Sequence, residues 1–356
     1  LIDVYSGLAA AGRAIPGGSC PTVGIAGLTL GGGVGVLTRQ YGLTIDHLVS
    51  AQVVTPDSVL RTASAASHPD LFWALRGGGG GNFGVTTSFS FATVPAPDLV
   101  VFAVSFPDAP ASAVLGGWQD WIQAAPAPLW ANCIVSAGSS PSARVNGSFL
   151  GAQAGLTPVL DDLARRVGTG SGTRSVAAKG FLDAMLYFAG CPGGLQACHL
   201  PAEGGTLGRE AFVASSRMMD RAVADPAAVT ALVTGRSGID LVFDSLGGAV
   251  ARVGTADTAY AHRSSLATIQ IYAGTNAAGQ AAATQAVGEI RDALAPLAGS
   301  GAYVNYLDPA LPGWPSAYYG GNLPRLEQVA ATYDPHGVLA FPQGIGAARS
   351  GPPVGG

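Results

Sequence analysis

The chain has 356 residues, a net charge of −4, and 48% hydrophobic against 11% charged residues. That length can bury a large core and form more than one substructure. It carries no basic stripe, which argues against a nucleic-acid partner, and no apolar run of the ~18 residues that a membrane span needs.

Residues 1–12 show no basic segment followed by an apolar one, so no signal peptide is read there. Residues 1–97 are glycine-rich with short apolar runs. Residues 48–55 read as a strand ended by the turn Pro56-Asp57-Ser58, and 85–94 alternate as a second strand. Pro95-Ala96-Pro97 marks a boundary. Beyond it, strands alternate with helices. The pattern predicts strands at 100–106, 239–243 and 266–272. It predicts helices at 111–125, with Trp118, Trp121 and Ile122 as apolar face, and at 277–297. Another helix is expected to open at Leu156-Thr157-Pro158, Thr157 capping and Pro158 in the first turn. A short helix at 323–332 ends at Asp334-Pro335, and the Gly/Pro-rich tail from Gly344 is expected to fray.

The four cysteines are Cys20, Cys133, Cys191 and Cys198. Cys191 and Cys198 flank a turn-rich loop that could close as a disulfide or hold two thiols. Zinc is the least favoured reading, with only His199 close by. A disulfide would point to a secreted protein, two thiols to a cytoplasmic one.

Two glycine-rich segments stand out. Gly79-x-Gly81-x-x-Gly84 has the spacing of a dinucleotide fingerprint, but a predicted strand follows it where a helix is required. The five glycines at 77–81 read either as a flexible loop or as backbone that can crowd a ligand's phosphates. The second segment is Gly18-Ser19-Cys20-Pro21-Thr22-Val23-Gly24, followed by Gly31-Gly32-Gly33-Val34-Gly35. Its cysteine is either a small buried residue in a turn or one wrapped around a bound molecule.

Together these segments resemble the berberine-bridge-enzyme-like branch of the vanillyl-alcohol-oxidase superfamily. Tyr41-Gly42-Leu43, Asp46 and the stretch from His68 to Thr86 extend the likeness. So do Asn305-Tyr306-x-Asp308, Trp314, Ala317-Tyr318-Tyr319-Gly320, Asn322, Arg325-Leu326, Tyr333-Asp334-Pro335 and Phe341-Pro342-Gln343. The resemblance implies an α+β fold with a PCMH-type FAD-binding domain whose N-terminal half is absent from this chain. Residues 1–97 would be the second part of that domain and 98–305 a substrate domain with an antiparallel sheet covered by helices. Residues 306–356 would return to the FAD domain.

For the cofactor, the resemblance implies FAD bonded through Cys20 to C6 of its ring. Val23, Gly24, Gly27, Gly31, Gly32 and Gly33 would line ring and pyrophosphate. Gly42, Asp46, Asn82, Phe83, Gly84 and Val85 would complete the cradle, with Tyr319 and Asn322 approaching from the returning segment. Valine at Val23 goes with oxygen access, hence an oxidase. Leu28 replaces a family histidine that helps hold the ribityl chain. The family's upstream histidine, which makes a second bond to the flavin, has no counterpart here. A separate N-terminal piece would have to complete the FAD domain.

The activity implied is oxidation of a hydroxyl group on a sugar or glycosylated metabolite, with oxygen as final acceptor and hydrogen peroxide as product. A cyclising or dehydrogenating enzyme of natural-product synthesis, or a non-catalytic flavin-binding homologue, are the alternatives. Tyr306 is the expected base. A phenol titrates near ~10, so it needs assistance, and Asp244 is the carboxylate expected to give it. The same two residues could instead be a buried hydrogen-bonded pair. Gln270 matches a substrate-side glutamine of some relatives, and Thr268 stands where some carry lysine. His262-Arg263 reads as structural packing.

Overall fold

The computed structural model describes residues 1–170 and 172–346. The first part of the chain forms α1 (Ile2–Ala10), β1 (Arg13–Ala14), α2 (Ile25–Leu30), α3 (Thr38–Tyr41), β2 (Leu48–Val54) and β3 (Leu60–Ser64), then α4 (Pro69–Leu75), β4 (Val85–Phe91) and β5 (Val94–Pro95). The middle forms β6 (Leu99–Ser105), α5 (Ala111–Ala124), β7 (Leu129–Ser136), β8 (Ser142–Phe149), α6 (Gln153–Val167), β9 (Thr173–Lys179) and α7 (Phe181–Phe188). It continues with β10 (Phe212–Met219), α8 (Pro226–Ala231), β11 (Ile239–Ser245), β12 (Ala267–Gly274) and α9 (Gln280–Ala298). The last described part holds α10 (Trp314–Tyr319) and α11 (Leu323–Tyr333). The architecture is α+β.

The main sheet has seven strands in the order β10-β12-β11-β7-β8-β6-β9, every neighbouring pair antiparallel. Its strands alternate in the period of two that one-sided burial demands. In β11, Ile239, Leu241, Phe243 and Ser245 are buried, while Asp240, Val242 and Asp244 face the other side half-covered. The buried set packs under α5, α6 and α9, with Trp118, Trp121, Leu160 and Leu294 in the same core. Trp121 also donates through Nε1 to the Val159 carbonyl at 2.8 Å. These helices cover one face of the sheet, while α1 and α7 pack over Leu99, Val101 and Trp130 at one end of the opposite face.

A second core joins distant parts of the chain. Leu71, Phe72, Trp73 and Phe83 pack with Ala302, Tyr318, Tyr319 and Leu326. A smaller sheet, β3-β2-β4, lies beside it. Two short strands, β1 and β5, pair where the Pro95-Ala96-Pro97 break was expected.

Three expectations change. The strand expected through residue 94 stops at Phe91 and resumes as β5, because Thr93 turns to receive the Arg13 side chain, whose Nε reaches Thr93 Oγ1 at 2.8 Å. Helix α6 starts at Gln153, before Thr157, and carries Pro158 inside. Leu156, Leu160, Leu163 and Val167 form its buried stripe, and seating Leu156 at the head of that stripe outweighs the one hydrogen bond that proline removes. The tail expected to fray from Gly344 is held at its start, since buried Ile345 donates its N–H to Asn82 Oδ1 at 2.9 Å. Residues 347–356 lie outside the described residues.

Cys191 and Cys198 form a disulfide, which closes the choice between bridge and thiols. The bridge closes the loop after α7 on itself and lies in the core of Ile2, Tyr5, Trp130 and Phe181, where that loop packs against α1. No described helix is long and apolar enough to cross a membrane.

Arg39 ties the glycine-rich part to the sheet. Its buried guanidinium donates to the carbonyls of Leu129 (2.7 Å), Leu246 (2.6 Å) and Ala125 (2.9 Å). Burial lowers its pKa to about 10, still far above neutrality, so it keeps its charge. Arg39→Met preserves bulk but leaves three buried acceptors bare, and should cost ~3 kcal/mol or more in chemical unfolding. A loss below ~0.5 kcal/mol would show that water replaces those bonds freely.

Candidate active site

The site begins with a chain reversal that needs glycine. Gly31 and Gly32 run against Asn305 and Tyr303, and Gly33 and Gly35 against Thr44 and Gly17, at distances that leave little or no room for side chains. A Cβ on Gly31 would stand 1.9 Å from Asn305 Oδ1, and one on Gly35 would stand 1.7 Å from the Gly17 carbonyl oxygen. Gly33 N–H donates to Tyr303 Oη at 2.9 Å. Asn305 Nδ2 donates to the same phenol oxygen at 2.9 Å and to the Leu28 carbonyl at 3.0 Å. This contact fixes Tyr303 and Asn305, and so the direction in which the chain delivers Tyr306.

A cavity of about 430 Å³ opens beside that junction. The glycine-rich segment supplies Gly18, Ser19, Cys20, Val23, Gly24, Gly27, Leu28, Val34 and Gly35. Trp130 and Asp244 come from the open face of the sheet, Tyr303 to Tyr306 from the returning segment, and Gly80 from the five-glycine loop. Cys20, Val23, Gly24, Gly27, Asp244 and Tyr306, all expected site residues, thus line one space.

The others stand behind its walls or apart from it. Gly32 and Gly33 lie under the junction, packed on Tyr260 and Thr44. Gly42, at φ +96°, turns the chain above Asp46. Asp46 gives its oxygens to Arg263 at 2.7 and 2.8 Å and accepts the Leu43 N–H at 2.8 Å, so its carboxylate is fully engaged away from the cavity. Asn82 donates to the Gly78 carbonyl at 2.8 Å, and Tyr319 Oη reaches the same carbonyl at 3.1 Å. With Phe83 beneath, they hold the loop that presents Gly80. Gly84 passes so near Val54 that a Cβ would lie 2.4 Å from its carbonyl oxygen, while Val85 is 66% exposed. Asn322 binds the carbonyls of Thr255, Thr258 and Ala259. Gln270 sits on the sheet's open face opposite Val242, one same-face position along from the Thr268 that pairs with Asp244. His262 contacts the Tyr318 carbonyl at 3.0 Å, and Arg263 serves Asp46, both within the packing.

Trp130, Tyr303, Asn305 and Gly80 are cavity residues without a site role in the sequence reading. Tyr303 and Asn305 flank Tyr306 closely enough that its motif could have pointed to them. Trp130 carries no local signal, because only the alignment of β7 beside β11 brings it to the cavity.

The electrostatics are acidic. Asp244 is pushed up to about 6 by loss of water, against a smaller downward pull from Asn132. Asn132 Nδ2 donates to Asp244 Oδ1 at 3.4 Å and is itself aligned by Asn146 Nδ2, which donates to Asn132 Oδ1 at 3.2 Å. The Tyr306 phenol is raised well above its ordinary value by burial first, then by Asp244. Cys20 is exposed as a residue, yet its sulfur position in the cavity raises the thiol through desolvation, then through Asp244 and Glu210. In the free cavity the thiol and the phenol are both neutral at pH 7, and the carboxylate is the group that titrates nearby.

The walls suit FAD. Additional atoms on Gly24, Gly27 and Gly80 would meet nothing within 4 Å, so the backbone on two sides of the cavity is open to a flat ring or a phosphate. Cys20 lines the same space. The buried Trp130 Nε1 has no partner among the described residues and is a donor a ligand could use. Gly31→Ala should push Asn305 off its two bonds and misdirect Tyr306. The purified variant is expected to retain less than about a tenth of the flavin per chain, read from visible absorbance, with a lowered melting temperature. Normal flavin content would show that Asn305 can swing aside without consequence.

Comparison with known proteins agrees with this geometry. Residues 1–64 match the model described as FAD binding domain, and residues 302–346 match that described as berberine and berberine like. An uncharacterized FAD-linked oxidoreductase of Bacillus subtilis (strain 168) is 33% identical over 96% of this chain and 74% of its own length. A chitooligosaccharide oxidase of Gibberella zeae is 30% identical over 94% of this chain and 70% of its own. The solved structure of Physcomitrella patens BBE-like 1 superposes with a TM-score of 0.88 at 28% identity, covering 97% of this chain and 75% of that one. The chain thus spans about three quarters of such relatives. With the two matched segments meeting at one glycine-lined cavity, the chain belongs to the berberine-bridge-enzyme-like family of FAD-linked oxidoreductases.

Proposed function

We propose that the protein oxidises a hydroxyl group of a sugar or glycosylated metabolite, with FAD attached through the Cys20 sulfur. The observation that carries this reading is the placement of Cys20, Asp244 and Tyr306 around one cavity. Residues 1–97 and 306–346 act as the flavin side and 98–305 as the substrate side. Gly24, Gly27 and Gly80 would lie along the cofactor, and Val23, 37% exposed, would leave oxygen a path. A bound FAD would supply the acceptor for the carbinol hydride and the route for its electrons to dioxygen, which would leave as hydrogen peroxide. The disulfide fits a secreted protein.

The protein's own contribution is to place the hydroxyl and remove its proton. A phenol held above its ordinary value cannot accept a proton as it stands. Asp244 can, because it is ionised above about pH 6. Tyr306 therefore takes the hydroxyl proton as it surrenders its own toward Asp244. Asn132 orients that carboxylate from the neighbouring strand.

The sign of the pH effect follows. Below about pH 6 Asp244 is protonated and the relay is blocked, so kcat/KM should fall about tenfold per pH unit. Asp244→Asn should remove that acidic limb and cut the rate by roughly 10²–10⁴, as should Tyr306→Phe. Peroxide release across pH 4–9 measures both. A Tyr306→Phe enzyme at full rate would end the proposed relay.

Attachment is checked separately. A denatured gel band should fluoresce as flavin, with the added mass on the Cys20 peptide, and Cys20→Ser should be dark at that peptide. A dark wild-type band would remove the covalent link from the proposal.

A further inference from the structure

The loop that carries Cys20 is pinned at each residue up to Gly18 and then released. The Pro16 carbonyl accepts from Thr44 Oγ1 at 2.8 Å. The Gly17 carbonyl lies against Gly35, where a Cβ would intrude. The Gly18 carbonyl accepts from Tyr5 Oη at 2.8 Å. Beyond the cysteine, the Pro21 carbonyl accepts the Ile2 N–H at 3.0 Å, one of the free donors that open α1. Between these last two anchors, Ser19 and Cys20 make no hydrogen bond among the described residues. Both anchors belong to α1. Ile2 and Tyr5 stand three residues apart, hence on one helix face, and both are buried in the core that holds Phe181 and the Cys191–Cys198 bridge. Tyr5 meets Phe181 edge-on, ring centroids 5.6 Å apart. Asp3 Oδ1 meets His199 Nε2 at 2.8 Å beside the bridged loop. The helix is thus fixed from outside the cavity, and its phenol is the last fixed point before the sulfur. Gly17 makes that contact possible, since a Cβ there would collide with Tyr5 Oη.

We infer that Tyr5 is a positioning residue for flavin attachment: by holding the Gly18 carbonyl it fixes how far the Cys20 sulfur reaches into the cavity. This rests on the reading of Cys20 as the attachment point. Attachment turns a thiol, a ring C–H and dioxygen into a thioether and hydrogen peroxide. The S–H and C–H bonds break, the S–C bond forms, and two electrons and two protons leave with the oxygen. Tyr5 supplies none of those atoms. Its contribution is to confine the sulfur to the arc that two anchored neighbours allow, which raises its effective concentration at the ring. Ser19 and Cys20, unbonded, keep the freedom to swing within that arc. Burial raises the Tyr5 phenol first and the nearby Cys20 second, so its hydroxyl keeps the proton that it donates to Gly18. A phenylalanine would fill the same core but leave the buried Gly18 carbonyl without its donor.

The test reads attachment and the thiol rather than turnover. Wild type, Tyr5→Phe and Gly17→Ala are compared by intact mass under denaturing conditions. Flavin-free chains of each, from a riboflavin-starved host, are alkylated with iodoacetamide from neutral to alkaline pH. Cys20 is the exposed free thiol, Cys133 being buried, so the alkylation reports on Cys20. Tyr5→Phe should keep its melting temperature near that of the wild type, while the fraction of chains with flavin on Cys20 falls about tenfold. Gly17→Ala, which pushes the hydroxyl off its acceptor, should do the same with Tyr5 in place. The Cys20 thiol is raised chiefly by desolvation, so a released loop should also lower its alkylation midpoint, which a folded chain shows only when the sulfur has left its seat. Equal attachment, or an unmoved midpoint, in a folded Tyr5→Phe overturns the inference. If Tyr5→Phe does not fold, Gly17→Ala is judged on the same two readings. A wild type without adduct sinks the attachment reading instead. The midpoint then judges Tyr5 alone: a lower value in the variants upholds it as the anchor of the loop, and an equal value overturns it.

Discussion

The site depends on a close approach between two chain segments some 270 residues apart, recorded in the bond from Gly33 N–H to the Tyr303 phenol. The segments can come that near only where no Cβ intervenes, and Gly31, against Asn305, and Gly32, against Tyr303, provide the gap. Once the segments touch, burial pushes the Tyr303 phenol up to about 12, against the smaller downward pull of the two N–H groups it accepts. It remains a phenol throughout the physiological range. The junction is therefore an uncharged, hydrogen-bonded clasp beside a group that must exchange protons.

The main sheet divides its labour by the period of the strand. In β11, Leu241 and Phe243 enter the helix-covered core, while Asp244, between Phe243 and Ser245, faces the cavity. A carboxylate there is costly, since the sheet and returning segment displace water, and Asp244 answers by shifting up to about 6. The Asn146–Asn132 pair restrains that shift by offering one donor. Packing on one face and proton chemistry on the other are consequences of the same alternation. Moving the register by one residue would bury Asp244 and expose Phe243.

The two arginine anchors complete the frame. Arg39 satisfies carbonyls from three elements, and Arg263 pairs with Asp46 across the boundary between the glycine-rich part and the strand-and-helix part. A buried ion pair contributes modest net stability but penalises any arrangement that separates its partners. Asp46 thus illustrates how a family-motif residue can act through the scaffold: its carboxylate holds the turn at Gly42 and pairs with Arg263.

Much was legible without coordinates. Alternation marked β2, β6, β11 and β12, helical spacing marked α5, α9 and α11, and proline marked the break near residue 95. Those signals are local, because the strand and helix periods are carried by neighbouring residues. The motif around Cys20 and the one around Tyr306 were equally readable, and the structure does bring both to one cavity. Trp130 was not readable: its chemistry depends on β7 lying beside β11, a pairing between residues more than a hundred positions apart. Nor could the sequence choose between disulfide and thiols, or place Asp46 with Arg263, since both turn on distances across the fold. Composition and period determined which elements exist and which residue types the cavity could draw on. Only the tertiary structure decided which side chains share its space, because burial, charge and reach are properties of neighbours that the chain order does not name.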